Sequence, residues 1–178
     1  EGFMTNYEFE QVMGSFTYPR FTAEASRYFT LHQHPDGSGR HVFKIGGEFG
    51  ISGEETPIYD HFFAGGFNTL RGFRFRGASP RNLGVVVGGE LQLLGTTEYM
   101  FPITADDMLR GVVFADFGTV EREIEINSEN FRLAPGFGMR ITVPALGPAP
   151  LAFDFAFPIL EADGDENQVF AFFVGINR

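Results

Sequence analysis

Residues 131–143 alternate with period two, and the two faces they define are of opposite kinds. Phe131, Leu133, Phe137, Met139, Ile141 and Val143 share one face, while Arg132, Ala134, Gly136, Gly138, Arg140 and Thr142 share the other. Alternation of this length specifies a strand; an amphipathic helix would repeat its apolar positions every three to four residues. The same division returns with Leu151, Phe153, Phe155 and Phe157 against Ala152, Asp154 and Ala156, and with Phe170, Phe172, Val174 and Ile176 against Ala171, Phe173 and Gly175. Further candidate strands run over Met4–Met13, Phe16–His32, His41–Ile51, Val85–Phe101 and Leu109–Val120. This makes about eight strands and no convincing helix, with polar breaks at 34–40, 104–107, 126–130 and 163–167.

A soluble sandwich or lipocalin-like barrel also alternates, but it turns its large side chains inward and covers the outside with Lys and Glu. Here the opposite face of several strands is small, glycine-rich or charged, and the apolar face is crowded with Phe. Large side chains toward lipid and small or charged ones toward a lumen is the pattern of a transmembrane barrel. The composition agrees, with 23 Phe and 23 Gly in 178 residues and a mean hydropathy of only -0.05. The chain has no apolar run of the roughly 18 residues that a membrane helix needs, whereas a barrel strand needs only about 9–11.

Other classes are excluded more simply. The absence of Cys rules out a disulfide framework and a thiolate metal site. A net charge of -10 argues against a nucleic-acid surface. No G-x-S-x-G nucleophile elbow occurs, so nothing suggests an enzyme. His32, His34, His41 and His61 are spread over loops and strand ends and are expected to be polar loop residues rather than metal ligands. Glu161, Asp163, Asp165 and Glu166 lack the EF-hand pattern and are expected to form a solvated turn. No metal or cofactor is therefore expected. Glu1–Glu10 lacks the basic start and apolar core of a signal peptide, so a mature form or a fragment is expected.

One segment breaks the alternation. Phe62–Arg81 reads FFAGGFNTLRGFRFRGASPR and sets Gly65, Gly66, Gly72 and Gly77 among Arg71, Arg74, Arg76 and Arg81. Glycine allows tight bends, and the arginine fork recognises carboxylates. Such a loop between barrel strands is either an ordinary exposed loop or one folded into a polar interior and pinned by ion pairs.

Further short motifs follow in order: Gly88-Gly89, Glu98-Tyr99-Met100-Phe101-Pro102, Phe114-Ala115-Asp116-Phe117-Gly118, Gly136-Phe137-Gly138, Gly147-Pro148, Asp154-Phe155-Ala156-Phe157-Pro158 and Phe170-Ala171-Phe172-Phe173-Val174-Gly175. With Leu70-Arg71-Gly72-Phe73 at the loop, they make the chain resemble the C-terminal half of the BamA-type outer-membrane assembly and translocation superfamily. Its members also include TamA-type assembly barrels, two-partner secretion translocators and the plastid import channel. The resemblance implies an all-β, antiparallel transmembrane barrel of sixteen strands, of which residues 1–178 supply about eight. It also implies a long loop, at about 53–84, folded into the lumen with the tetrad Leu70, Arg71, Gly72 and Phe73 at its tip. The tetrad arginine of the family contacts acids on the barrel wall, at positions that match Glu98 and Asp116.

The strand phase can be read independently of that resemblance. Leu91, Leu93, Tyr99 and Phe101 share a face, which puts Glu98 with Glu90 and Gln92 on the inner one. Leu109, Val113 and Phe117 likewise leave Asp116 inside with Arg110 and Phe114.

The resemblance further implies a protein of the bacterial outer membrane that folds and inserts barrel precursors through a lateral seam. The last strand, Gln168–Asn177, would form one side of that gate through Phe170, Phe172, Val174 and Gly175. Partners would be membrane lipid, unfolded precursors, the other half of the barrel, periplasmic POTRA repeats and accessory lipoproteins, with no nucleic acid. A two-partner secretion translocator and a barrel anchor for a passenger domain are the alternatives within a membrane; a soluble ligand-binding barrel is the alternative outside it. The chain departs from the family in three respects: Leu70 stands where a β-branched residue is usual, Gly175 is followed by Ile176, Asn177 and Arg178 rather than by a closing aromatic, and the first half of the barrel and the POTRA repeats are not in this sequence. An eight-stranded barrel is filled by its own side chains. The chain is therefore expected to be half of a larger barrel, whether an excised fragment, a chain paired with a separate half, or part of a longer chain.

Overall fold

The computed structural model describes residues 2–142 and 150–175. Eight strands form one antiparallel sheet: β1 (Gly2–Val12), β2 (Tyr18–His32), β3 (His41–Ser52), β4 (Leu91–Pro102), β5 (Leu109–Glu121), β6 (Arg132–Ile141), β7 (Leu151–Ala156) and β8 (Phe170–Val174). Each pairs with its neighbour in sequence, so the sheet is a simple meander. The outer edges of β1 and β8 have no strand neighbour among the described residues. Val143, Gly147, Pro148, Ile176, Asn177 and Arg178 lie outside the described residues.

The faces are inverted relative to a soluble protein. Phe137 and Phe172 are 54% and 52% exposed, while Arg132, Arg140 and Asp154 are buried. Large apolar side chains left uncovered beside buried charges demand a lipid exterior and an occupied interior. No helix is long and apolar enough to cross a membrane; the helical segments among the described residues are two single 3-10 turns, Ile58–Asp60 and Ser128–Asn130. The sheet curves around its contents: a cavity of about 630 Å³ is lined by Asn6 of β1, Glu24 of β2, Glu48 of β3, Phe67 of the long loop and Ala171 of β8.

Several boundaries differ from the sequence reading. Met13 and Phe16 lie in the turn between β1 and β2, exposed, because apolar character alone does not distinguish a strand end from a barrel rim. Val85–Phe101 is not one strand. Val85–Val86 pairs back on Arg81–Asn82 through Leu83 (φ 50°) and Gly84 (φ 81°), the positive-φ pair of a tight hairpin, and β4 begins only at Leu91. The segment between β3 and β4 is therefore 53–90 rather than 53–84. Gln168 also lies outside the last strand: Asn167–Gln168 pairs with Gly72–Phe73 of the long loop. Leu91, read as outward, is buried where the loop returns to the sheet.

The long loop leaves and re-enters the sheet through a neck, with Phe62 and Gly89 exchanging backbone hydrogen bonds of 2.8 and 3.0 Å. Beyond it, Ala64, Leu70, Phe73 and Ala78 pack with Phe62 against Leu94, Val120 and Ala134 of the sheet wall. The loop thus has its own apolar underside, which seats it on the inner face of β4, β5 and β6. This loop, the segments 122–131 and 157–169 and the short turn 13–17 emerge at one end of the sheet; the turns 33–40 and 103–108, with no long loop among the described residues, lie at the other. Long loops mark the extracellular end of such a barrel and short turns the periplasmic end.

Candidate functional site

Arg71 is the centre of a dry ion-pair cluster. Its exposure is 3%, against 0% for the Asp116 side chain and 0% for that of Asp154. The guanidinium meets Asp116 side-on, with Nε to Oδ2 at 2.7 Å and Nη2 to Oδ1 at 2.8 Å, and the Arg71 backbone N–H adds a third bond to Oδ2 at 3.1 Å. Nη1 donates to Glu98 Oε1 at 2.6 Å and to Asp154 Oδ2 at 3.2 Å. Thr96 donates to Asp116 Oδ1 at 2.6 Å, and the guanidinium carbon sits 3.4 Å from the centroid of the Phe114 ring. One side chain of the loop is thereby tied to β4, β5 and β7. A bidentate, fully hydrogen-bonded pair is the form in which a buried ion pair recovers its desolvation cost.

The charges balance locally. Arg140 of β6 donates to both oxygens of Asp154, and Lys44 of β3 stands opposite Glu98 in the register. Lys44, Arg71 and Arg140 thus face Glu98, Asp116 and Asp154.

Glycine makes this convergence possible. A Cβ at Gly138 would lie 1.9 Å from Asp154 Oδ1, and one at Gly136 would lie 2.4 Å from the Phe114 ring. With no side chains there, Phe114 from β5 and Asp154 from β7 both lean over β6 toward the guanidinium. Gly72 adopts φ 95°, and its Cβ would press on Ala134 and Pro158. The tetrad glycine thus turns the chain in a conformation that other residues resist and lets it lie against β6.

A second set of contacts holds the loop at the extracellular end. Glu166 accepts from Arg81 at 2.6 Å and from Arg74 at 3.1 Å, while Arg74 N–H donates to the Glu166 carbonyl at 2.8 Å. Asp165 forms a side-on pair with Arg132, both bonds at 2.9 Å, with both side chains buried. The solvated turn expected at 161–166 is thus corrected: its last two acids are structural anchors, because Arg132 of β6 lies against Asp165 and the loop brings Arg74 and Arg81 to Glu166. Hydrogen bonds from Arg81 and then the charges of Arg81 and Arg74 hold the Glu166 carboxyl below the usual range.

The residues expected to form a gate lie apart from the Arg71 cluster. Phe170, Phe172 and Val174 point outward, opposite Phe155, Phe153 and Leu151 of β7, and Gly175 follows the end of β8. The two regions are connected by the pairing of Gly72–Phe73 with Asn167–Gln168 and by Phe67 of the loop, which stacks on inward-facing Phe173 with centroids 4.6 Å apart and planes 8° apart. The sequence reading did not assign Thr96, Asp154 or Arg140 to Arg71. The available signal was an acid and an arginine on the small-residue faces of β6 and β7. No cluster of His, Cys, Asp and Glu able to hold a metal occurs among the described residues. Glu98, Asp116 and Asp154 are each paired with arginine, an arrangement suited to fastening rather than to proton transfer.

A family model described as the Omp85 superfamily domain matches residues 1–177. The chain belongs to the Omp85 superfamily. It is similar to the outer membrane protein assembly factor BamA of Nitratidesulfovibrio vulgaris, 29% identical over 119 residues, covering 64% of this chain and 15% of that protein. It is also similar to the BamA of Neisseria meningitidis serogroup B, 26% identical over 166 residues, covering 74% of this chain and 21% of that protein. The crystal structure of Haemophilus ducreyi BamA lacking POTRA domains 1–3 superposes with a TM-score of 0.80 at 21% identity, over 96% of this chain and 37% of that one. The eight strands are therefore part of a larger Omp85 transmembrane barrel, and the chain spans about a fifth or less of the curated relatives' length. Omp85 membership places it in the bacterial outer membrane, in a family whose named relatives are assembly factors rather than enzymes.

Proposed function

We propose that this chain is the C-terminal half of an Omp85 barrel that folds and inserts other outer-membrane barrels. Its loop at 53–90 would be a fixed plug segment, fastened by Arg71 to Glu98 and Asp116, and β8 would be one side of a lateral seam. The observation that carries the reading is the Arg71 cluster, because it invests a whole loop tip and three strands in one buried position. Supporting the seam, β8 pairs with β7 over only five residues, Phe170–Val174, the shortest register in the described sheet, and a short strand is held by few backbone bonds. No covalent chemistry is required. An incoming chain would gain backbone hydrogen bonds and burial, and the barrel would lower the barrier to reaching them. Accessory lipoproteins and periplasmic repeats would deliver the precursors.

The test is the natural full-length barrel, reconstituted with a disulfide between β8 and the first strand of the other half. Locking should stop precursor insertion with the fold intact, and reduction should restore it. Insertion at the unlocked rate in the locked protein would overturn the seam and favour passage of a polypeptide through the lumen.

A further inference from the structure

Arg27 is the only Lys, Arg, Asp or Glu on the outward face of the described β1, β2 and β3. It pairs across the sheet with Phe3 on one side and Ile45 on the other, both exposed, while its neighbours Ser26 and Lys44 face inward and are buried. An arginine on the lipid side of a barrel is unfavourable unless its head group reaches the interface. Arg27 is turned that way: its guanidinium lies 4.7 Å from the centroid of Phe29, one rung closer to the short-turn end. No carboxylate shares the outward face of these strands, and Arg27 makes no ion pair among the described residues.

Further along the strands, toward the short-turn end, lies a shelf of rings, with Phe29 two positions on from Arg27 and His32 five. Phe29 meets Phe43 at 6.4 Å on the next strand. The irregularity between Thr30 and His32 brings His32 opposite His41, with rings 5.7 Å apart, and His34 stands 5.5 Å beyond. His41 Nδ1 bonds the Tyr99 hydroxyl at 2.7 Å. Rings with an apolar body and a polar tip collect where hydrocarbon meets head groups. The shelf therefore marks the membrane boundary on the short-turn side, and Arg27 reaches toward it from the apolar band.

We propose that Arg27 binds the phosphate of a phospholipid head group in the periplasmic leaflet, at the membrane boundary that the His32–His41 shelf marks. The fork of Arg27 supplies the charge and paired N–H donors that a phosphate matches, and Phe29 holds the fork in place. The site is independent of the seam and of the Arg71 fastening.

The experiment uses the full-length barrel with ¹³C-labelled arginine in vesicles of phosphatidylethanolamine and phosphatidylglycerol. Solid-state ¹³C–³¹P dephasing should show an arginine-to-phosphorus contact that Arg27→Leu removes. Native mass spectrometry should show retained phosphatidylglycerol falling about tenfold in that variant and less in Arg27→Lys. Leucine suits a lipid-facing strand, so heat-modifiable mobility should confirm that the variant stays folded. An unchanged contact in Arg27→Leu would overturn the site. So would displacement of the lipid by inorganic phosphate, or a contact that appears only with lipopolysaccharide in the opposite leaflet.

Discussion

The long loop is held at two ends by the same chemistry in different surroundings. At the tip, Arg71 is dry and joins three strands through their side chains. At the extracellular end, Arg74 and Arg81 share Glu166 while remaining partly in water, and backbone hydrogen bonds from Arg74 N–H to the Glu166 carbonyl and from Glu166 N–H to the Gly77 carbonyl accompany them. Water can replace a lost partner at the second site but not at the first. The tip should therefore depend on each atom of its cluster, whereas the rim should tolerate loss of a side chain because the backbone contacts remain.

The largest expected effect follows from removing the central cation. Arg71→Ala leaves Asp116 and Asp154 buried without it and should cost about 3–5 kcal/mol, read as loss of amide protection across 62–81. Arg71→Lys should recover part of this, since a point charge cannot reproduce the side-on pair. Full protection in the alanine variant would erase the difference between the two ends. A smaller effect is expected from Gly138→Ala. The new methyl would take the place of Asp154 Oδ1 and should cost about 1–3 kcal/mol while leaving Glu166 and its partners unaffected. Chemical-shift changes confined to the tip would support this, and changes at the rim would contradict it.

The smallest effect belongs to the rim. Because the Glu166 pKa is lowered in the folded protein, its contribution is complete above the ordinary glutamate value of about 4.3 and fades as the pH falls through the lower, folded value. Protection of 162–168 should be the same at neutral pH and slightly above that value, then decline on acidification. Glu166→Gln should remove the acid-dependent step with little other change.

The alternation of large and small residues made the faces of β6 and β7 legible, since each position there follows from period two. It also put Glu98 and Asp116 on the inner face. It could not identify Asp154 as a third partner, because that contact depends on bare Gly138, which lets the Asp154 side chain cross a strand. Nor could alternation end a strand. Val85, Val86 and Val87 read as strand residues, but Leu83-Gly84 turns the chain back first. The roles of Asp165 and Glu166 were hidden for a related reason: their partners lie 33 and 85 residues earlier in the chain, and nothing local in an acidic turn points to them.

Those separations bear on the order of events. From Arg71 the wall partners lie 27, 45 and 83 positions downstream, at Glu98, Asp116 and Asp154. The first two become available when β4 and β5 join the sheet, but the third waits for β7. Each closure must meet its chain entropy before the contact repays it. The tip therefore reaches its final state late, and a seated loop records that the strands of its own wall are already in register.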